Sequence, residues 1–276
     1  MRSAASTPRW FLAAGQAEMA KVTESAHTDS AESDSKESRL SFTLQHWCLW
    51  QAEESSGGTC WPDGEVLPYN GGYADVGFLP MMQSRRLSPL ARAACAVAHH
   101  CREKNGDMPS VFFSSHGESH YYFEMLQGMA AREDVSPSRF SLCVHNAIAG
   151  LSSFHSASFL PYVALAGGTE GMFGAFLEAA GMLLETPQVL VVWYEQPLPE
   201  AYRPYLSASA TTWALAMVLA GTGGTGRPLR LTRRPGTTPP ASQGGDNSLV
   251  RAILTNQRNS SCRLDRSIWQ WELSDA

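Results

Sequence analysis

The chain has 276 residues, 43% of them hydrophobic and only 17% charged, with a formal net charge of −5. That length holds one large domain or two small ones with ample apolar material for a core, which excludes a wholly disordered chain. A mildly acidic, sparsely charged chain has no basic stripe for a phosphate backbone, so nucleic acid is not an expected partner; the shortage of charge against the usual ~25% points instead to surface buried on another protein.

In chain order, residues 22–39 are mostly Ser, Thr, Ala, Glu and Asp. With almost nothing to bury, residues 1–39 read as a disordered leader, within which Met19-Ala20-Lys21 offers an alternative start. The folded domain is expected over residues 40–276. Ser88 as N-cap and Pro89 at the first helical position open a helix. Leu90, Ala94, Val97 and Cys101 share a face of it until Asn105-Gly106 stops it. Residues 111–115 read as a buried strand, followed by a helix with Tyr122, Met125, Leu126 and Met129 on one face. Ser136-Pro137 opens a third helical stretch carrying Phe140, Val144, Ile148 and Leu151.

Tyr162–Ala166 is a short apolar strand that runs into Gly167-Gly168. Behind it, Met172, Phe173, Phe176, Ala180 and Leu183 line one face of an amphipathic helix. Residues 189–194 form a strand of the type buried on both faces. Trp213–Ala220 and residues 229–232 are further strands, and residues 235–247 are a Gly/Pro/Ser/Thr-rich loop. Residues 249–255 form a helix and Ser267–Leu273 a last strand. Strands alternating with helices predict a layered α/β domain. The longest apolar runs fall well short of the roughly 18 residues that span a bilayer, and residues 10–14 are too short for the core of a secretory signal. Six dispersed cysteines with no Cys-x-x-Cys pair give no disulfide framework, so the expected setting is a reducing cytoplasm.

Several strings suggest chemistry and are better read as structure. In Gly221–Gly226 (GTGGTG) the Lys and Ser/Thr of a phosphate loop are replaced by Arg227-Pro228, and residues 229–232 behind them read as strand rather than helix, so a turn is expected. His99-His100-Cys101 hints at a metal, but neighbouring helical positions diverge by about 100° and cannot converge on one ion without further ligands; no metal site is expected. Cys143, His145 and Asn146 imitate a Cys/His/Asn set, yet Cys143 and His145 sit two apart on an expected helix and point to different sides. His116-Gly117-Glu118 succeeds a strand, where functional loops gather. Its plainer reading has Gly117 making the turn and Glu118 charging the next helix start.

The strand–Gly-Gly–helix element around Gly167 and Gly168 is the most informative. A tight strand-to-helix turn presents a residue at a helix N-terminus, where enzymes place a thiolate or alkoxide nucleophile. Here the turn residues have no side chain, and Thr169 and Glu170 are as readily helix-start chemistry.

The strings PMMQSRRLSPLARAACAVA, VFFSSHGE, SPSRFSLCVHNAIAG, ALAGGTEGMFGAFLEAAGMLL and VLVVWYEQPLPEAY succeed one another over residues 80–202. In this order and spacing they resemble the beta-ketoacyl synthase-like N-terminal domain family, in the form of the chain-length-factor-like subunits of bacterial aryl-polyene clusters. The resemblance covers roughly residues 40–276, with Cys143 where the family usually has Ser. It implies a thiolase-like fold cut to about its N-terminal half, a layered α/β/α arrangement with a mixed sheet. It places Gly167 at the family's nucleophilic Cys, and the family's two catalytic histidines lie later in the chain, whereas no histidine here comes after His155.

The resemblance therefore implies a non-catalytic subunit, without cofactor, that pairs with a full-length beta-ketoacyl synthase and meets acyl carrier protein transiently. Its implied interface strand is Tyr162, Val163, Ala164, Leu165 and Ala166. Phe140, Val144, His145 and Asn146, with Met172, are implied around the acyl tunnel. Two other readings stand beside it: a stand-alone acyltransferase or thioesterase using Cys143 or a Ser/His pair, and a homodimeric acyl-carrier scaffold.

Overall fold

The structure is a computed structural model that describes residues 37–54, 58–167, 171–205, 209–236, 247–264 and 267–276. The first half of the chain order is β1 (Ser38–Gln51), β2 (Gly64–Val66), α1 (Met81–Ser84), α2 (Pro89–Asn105), β3 (Ser110–Ser114), α3 (Ser119–Ala130), α4 (Pro137–Cys143) and α5 (Ala147–His155). Then come β4 (Tyr162–Ala166), α6 (Phe173–Met182), β5 (Gln188–Glu195), β6 (Trp213–Ala220), β7 (Arg227–Pro235), α7 (Ser248–Leu254), β8 (Asn259–Arg263) and β9 (Ser267–Leu273). The strands join in one mixed sheet ordered β4-β3-β5-β6-β1-β7-β9-β8, with β2 paired to β1. β3 runs parallel to both β4 and β5; the remaining neighbours along this order are antiparallel.

The central strands are buried on both faces, and their residues alternate between two cores. Val189, Val191 and Trp193 of β5 pack with α6 and α7, whereas Leu190, Val192 and Tyr194 pack with α2. β6 repeats the pattern with Leu215, Met217 and Leu219 on one side and Ala214, Ala216 and Val218 on the other. Each Val, Leu or Met side chain so buried contributes about 1.5–3 kcal/mol. The two cores differ in grain. On the α6 side, Phe173 stacks on Trp269 at 4.6 Å and Trp193 meets Trp213 edge-on at 4.5 Å. On the other side, Ala91, Ala94 and Ala98 of α2 meet Ala214 and Ala216, so small residues seat this helix on the sheet. The result is three layers, α/β/α.

Helix α2 has the expected ends: Ser88 Oγ accepts from Ala91 N at 2.9 Å, and Gly106 closes it at φ 82°. Three sequence expectations need correction. The third helical stretch is two helices, α4 and α5, because Val144 is extended between them (φ −74°, ψ 149°). Cys143 and His145 therefore do not share a helix. Glu118 does not serve the start of α3; it turns inward and accepts a 2.5 Å hydrogen bond from Ser88 Oγ at the start of α2. β1, β2 and β8 had no counterpart in the sequence pattern. The GTGGTG segment is the expected turn: Thr43 Oγ1 donates to Gly221 O, and a Cβ on Gly226 would meet Leu44 O at 2.5 Å. Most of the Gly/Pro-rich loop and residues 1–36 lie outside the described residues.

Candidate functional site

β3, β4 and β5 are parallel, so their carboxyl ends open on one side of the sheet, the usual position of a site in such a fold. The loop after β3 is held tightly there. Ser114 Oγ accepts from Gly117 N at 2.8 Å, and Gly117 takes φ 53°, where a Cβ would come within 2.9 Å of His145 Nδ1. Ser115 N and Trp193 Nε1 both donate to Glu195 Oε1, at 2.7 and 3.1 Å. Burial raises the Glu195 pKa, and those N–H donors oppose the rise. Gln196 Nε2 donates to Gly117 O, joining the ends of β5 and β3. Burial also pushes Glu118 up to about 7, against the hydrogen bond from Ser88. Sequence reasoning missed Glu195 and Gln196; their signal is an apolar strand that ends abruptly in two polar residues.

Gly167, to which the resemblance assigns the nucleophile position, directly follows β4. Its N donates to Ser114 O at 3.0 Å, and an added Cβ would sit 2.9 Å from Ser115 Cα. Position 167 therefore has no room for a thiol while Ser115 stays in place. Gly168, Thr169 and Glu170 lie outside the described residues.

Among the described residues, β4 is the end strand of the sheet. Pro161 O and Gly167 N both bond β3. By the two-residue alternation of a strand, the N–H and C=O groups of Tyr162, Ala164 and Ala166 therefore point to the free edge. Val163, Ala164 and Leu165 are half-buried, while Tyr162 and Ala166 are exposed. His145 Nε2 donates to Leu165 O at 2.6 Å, which ties the α4–α5 junction, with Val144 and Asn146, to this strand. Phe140 projects into solvent from α4, none of whose residues is buried. Met172 is placed apart from the others: it is 5% exposed, inside the core beneath α6. Cys143 Sγ contacts Phe140 O at 3.0 Å and Met125 Sδ at 3.7 Å, while His145 is engaged with Leu165, so the two do not act on each other.

A family model described as beta-ketoacyl synthase, N-terminal domain, matches residues 47–272. Among solved structures, a ketosynthase in complex with its chain length factor from Xenorhabdus doucetiae matches with a TM-score of 0.69 at 20% identity, over 84% of this chain and 99% of that chain. A beta-ketoacyl synthase from Burkholderia phymatum gives 0.44 at 14% identity, over 54% of this chain and 46% of that one. A ketosynthase from module 6 of the bacillaene synthase of Bacillus subtilis gives 0.40 at 13%, over 54% and 27%. No curated protein matches the chain. The fold is thus that of the N-terminal half of the thiolase-like ketosynthases.

Proposed function

The chain belongs to the beta-ketoacyl synthase, N-terminal domain, family, and within it we propose a non-catalytic subunit of chain-length-factor type that pairs with a full ketosynthase. The observation that carries this reading is the open edge of β4. Tyr162, Ala164 and Ala166 leave their backbone groups to that edge, and the chain leading into it, Phe159 and Leu160, is exposed and apolar. The nearby helices are also short of cover: α3 buries only Ser119, and Tyr122, Met129 and Phe140 are exposed. A second sheet edge laid on β4 would satisfy the backbone groups, and the flanking apolar surface would supply an interface of about 2,000 Å² or more, as obligate pairs have. The Xenorhabdus complex joins a ketosynthase to its chain length factor, and this chain matches one chain of it over nearly its whole length.

A ketosynthase needs a thiolate to take the acyl chain, and histidines that assist malonyl decarboxylation and stabilise the charge it generates. At Gly167 there is no side chain to serve as that thiolate. The partner supplies that chemistry in this proposal. Phe140, Val144, His145 and Asn146 lie on the segment held to β4 and shape the acyl tunnel, in elongation of an aryl-polyene-type chain on acyl carrier protein in the cytoplasm. The working unit is the domain from β1 onward, and a chain begun at Glu37 retains partner binding. Among the described residues, no helix is long and apolar enough to cross a membrane.

Co-expression with the ketosynthase encoded beside it tests the reading. A 1:1 complex should elute, and condensation of malonyl- and acyl-carrier proteins should require both chains. Turnover by this chain alone, abolished by Cys143→Ala, would favour the stand-alone enzyme instead. A homodimer with no affinity for the ketosynthase would overturn the pairing.

A further inference from the structure

Three side chains away from the strand ends converge on a metal-ligand arrangement. His46 lies on β1, Glu65 on β2 and His100 in the last turns of α2, and one donor atom of each lies within 4.8 Å of the others. A bulge in β1 puts His46 there. Register with β6 runs from Leu44–Leu219 to His46–Val218, so Gln45 is an extra residue. Before it, Phe42 and Leu44 face the α6 core; after it, Cys48 and Trp50 face α2, and His46 shares their side. On α2 itself the divergence expected of adjacent positions holds: His99 stacks on Phe78 at 3.7 Å, and Cys101 is buried. The further ligands that sequence spacing could not supply come from β1 and β2.

The protonation of His46 can be read from its contacts. Its Nδ1 lies 2.8 Å from Asp63 O. A carbonyl only accepts, so Nδ1 carries a proton, and in the neutral ring Nε2 presents a lone pair. That Nε2 is buried and has no hydrogen-bond partner. An imidazole anchored through Nδ1–H to a backbone carbonyl is the form in which histidines hold metals. His100 Nε2 lies 2.8 Å from Glu65 Oε1, and the two imidazoles face each other with centroids 6.3 Å apart. A lone pair and a carboxylate brought this close call for a cation. Lys104 also contacts Glu65, from a half-exposed position on a flexible stem.

We propose that His46 Nε2, His100 Nε2 and the Glu65 carboxylate bind a divalent transition-metal ion of the zinc type. On binding, the 2.8 Å His100–Glu65 contact opens and three metal bonds of about 2.0–2.2 Å form, with the fourth position left to water. A proton on His100 Nε2 leaves to solvent from a charged ring or passes through solvent to Nδ1 in a neutral one, and a ring already protonated at Nδ1 alone needs no transfer. The Lys104 ammonium withdraws from Glu65 into water. The ion would fasten β2 to β1 and α2. In the sheet, β1 stands four places from β4, so this site is independent of the proposed pairing.

The test is titration of the chelator-stripped full chain with Zn²⁺ against a chromophoric competitor, with Co²⁺ as a spectroscopic probe. One ion per chain is expected, weakened about 10-fold or more in His46→Gln and in His100→Gln. Affinity should rise in Lys104→Met, which removes the competing cation from a half-exposed position and leaves the fold intact. The Co²⁺ spectrum should show nitrogen and oxygen ligation with no thiolate charge-transfer band. Failure to take up one ion per chain, undiminished uptake in His46→Gln, no gain in Lys104→Met, or a thiolate band from Cys48 or Cys101 would each overturn the site.

Discussion

The two ends of the sheet are built from opposite chemistry. β4 reads Tyr-Val-Ala-Leu-Ala, without a charge, and the segment before it exposes Phe159 at 98% and Leu160 at 40%. β8 reads Asn-Ser-Ser-Cys-Arg, with Arg258 and Asp275 paired beside it. Among the described residues, each of the two strands has one neighbour in the sheet. A free edge invites another strand, and polar or charged side chains are the usual defence. β8 carries that defence and β4 does not. The contrast teaches that exposure of an edge is not itself the signal; a specific partner is indicated where an edge is left both open and apolar.

The largest test inserts the same change at both ends. Ala164→Pro and Ser261→Pro each remove an N–H that points away from the sheet. On β8, Leu264 N bonds Ser267 O and Arg258 O accepts from Leu273 N, which leaves Ser261 in the outward phase. Neither change breaks an existing ladder bond, so both isolated chains should fold. Ala164→Pro should weaken association with the ketosynthase by at least about 100-fold, roughly 2.7 kcal/mol. Ala164→Asp should do the same by burying an unpaired charge. Ser261→Pro should leave co-elution unchanged. Equal behaviour of the two proline variants in size-exclusion chromatography would dissolve the comparison.

A second test moves from the edge strand to the glycine just past it. At Gly167 an added Cβ would press to 2.9 Å on Ser115 Cα, whereas at Gly224, in the turn after β6, it would make ordinary 3.7 Å contacts. Gly167→Ala should lower stability by about 1–3 kcal/mol, several degrees in melting temperature for a domain of this size. Gly224→Ala should stay within about 0.5 kcal/mol. If both variants melt like the native chain, Ser115 yields easily and position 167 has room for a side chain after all.

The sequence made some of this legible and hid the rest for definite reasons. β5 and β6 announce themselves because a strand buried on both faces is apolar at every position. Ser88-Pro89 and Gly106 mark the ends of α2 through local backbone chemistry alone. β1 was hidden by its bulge: apolar phase runs through Phe42 and Leu44, then resumes at Trp47 and Leu49, so no single period of two spans it. The α4–α5 break was hidden because Phe140, Val144, Ile148 and Leu151 keep helical spacing across it. β8 is held by ladder bonds that any polar residue can make. At the site, the absence of a side chain at Gly167 was visible, whereas the inward turn of Glu118 depends on Ser88, thirty residues upstream.

A third test asks whether the β4 end of the molecule carries its own pH response. Burial lifts the folded pKa of Glu118 to about 7 from an ordinary value of 4.5. Between these values the folded state holds a proton that the unfolded state has released, so stability falls as pH rises from about 4.5 to 7 and the loss is complete above 7. Glu118→Gln keeps an oxygen to accept from Ser88 and removes the charge. It should stabilise the chain at pH 8 by about 1–3 kcal/mol and by much less at pH 5. Thermal melts of both chains across this range decide it; a difference independent of pH would mean that Glu118 does not titrate there.

The smallest effect belongs to the polar end. Arg230 and Glu272 face each other across β7 and β9 at 3.3 Å, with side chains 59% and 56% exposed. Water screens such a pair, and ordering two long side chains offsets most of the attraction, leaving about 0–1 kcal/mol. Glu272→Gln should therefore shift the melting temperature by no more than a degree or two, and less still in high salt. Association with the ketosynthase should not change at all. A loss of association here would place the partner on the polar end and transfer the interface from β4 to β8; a large loss of stability alone would show that these charges hold β9 in place, and that the polar edge is a structural brace as well as a guard.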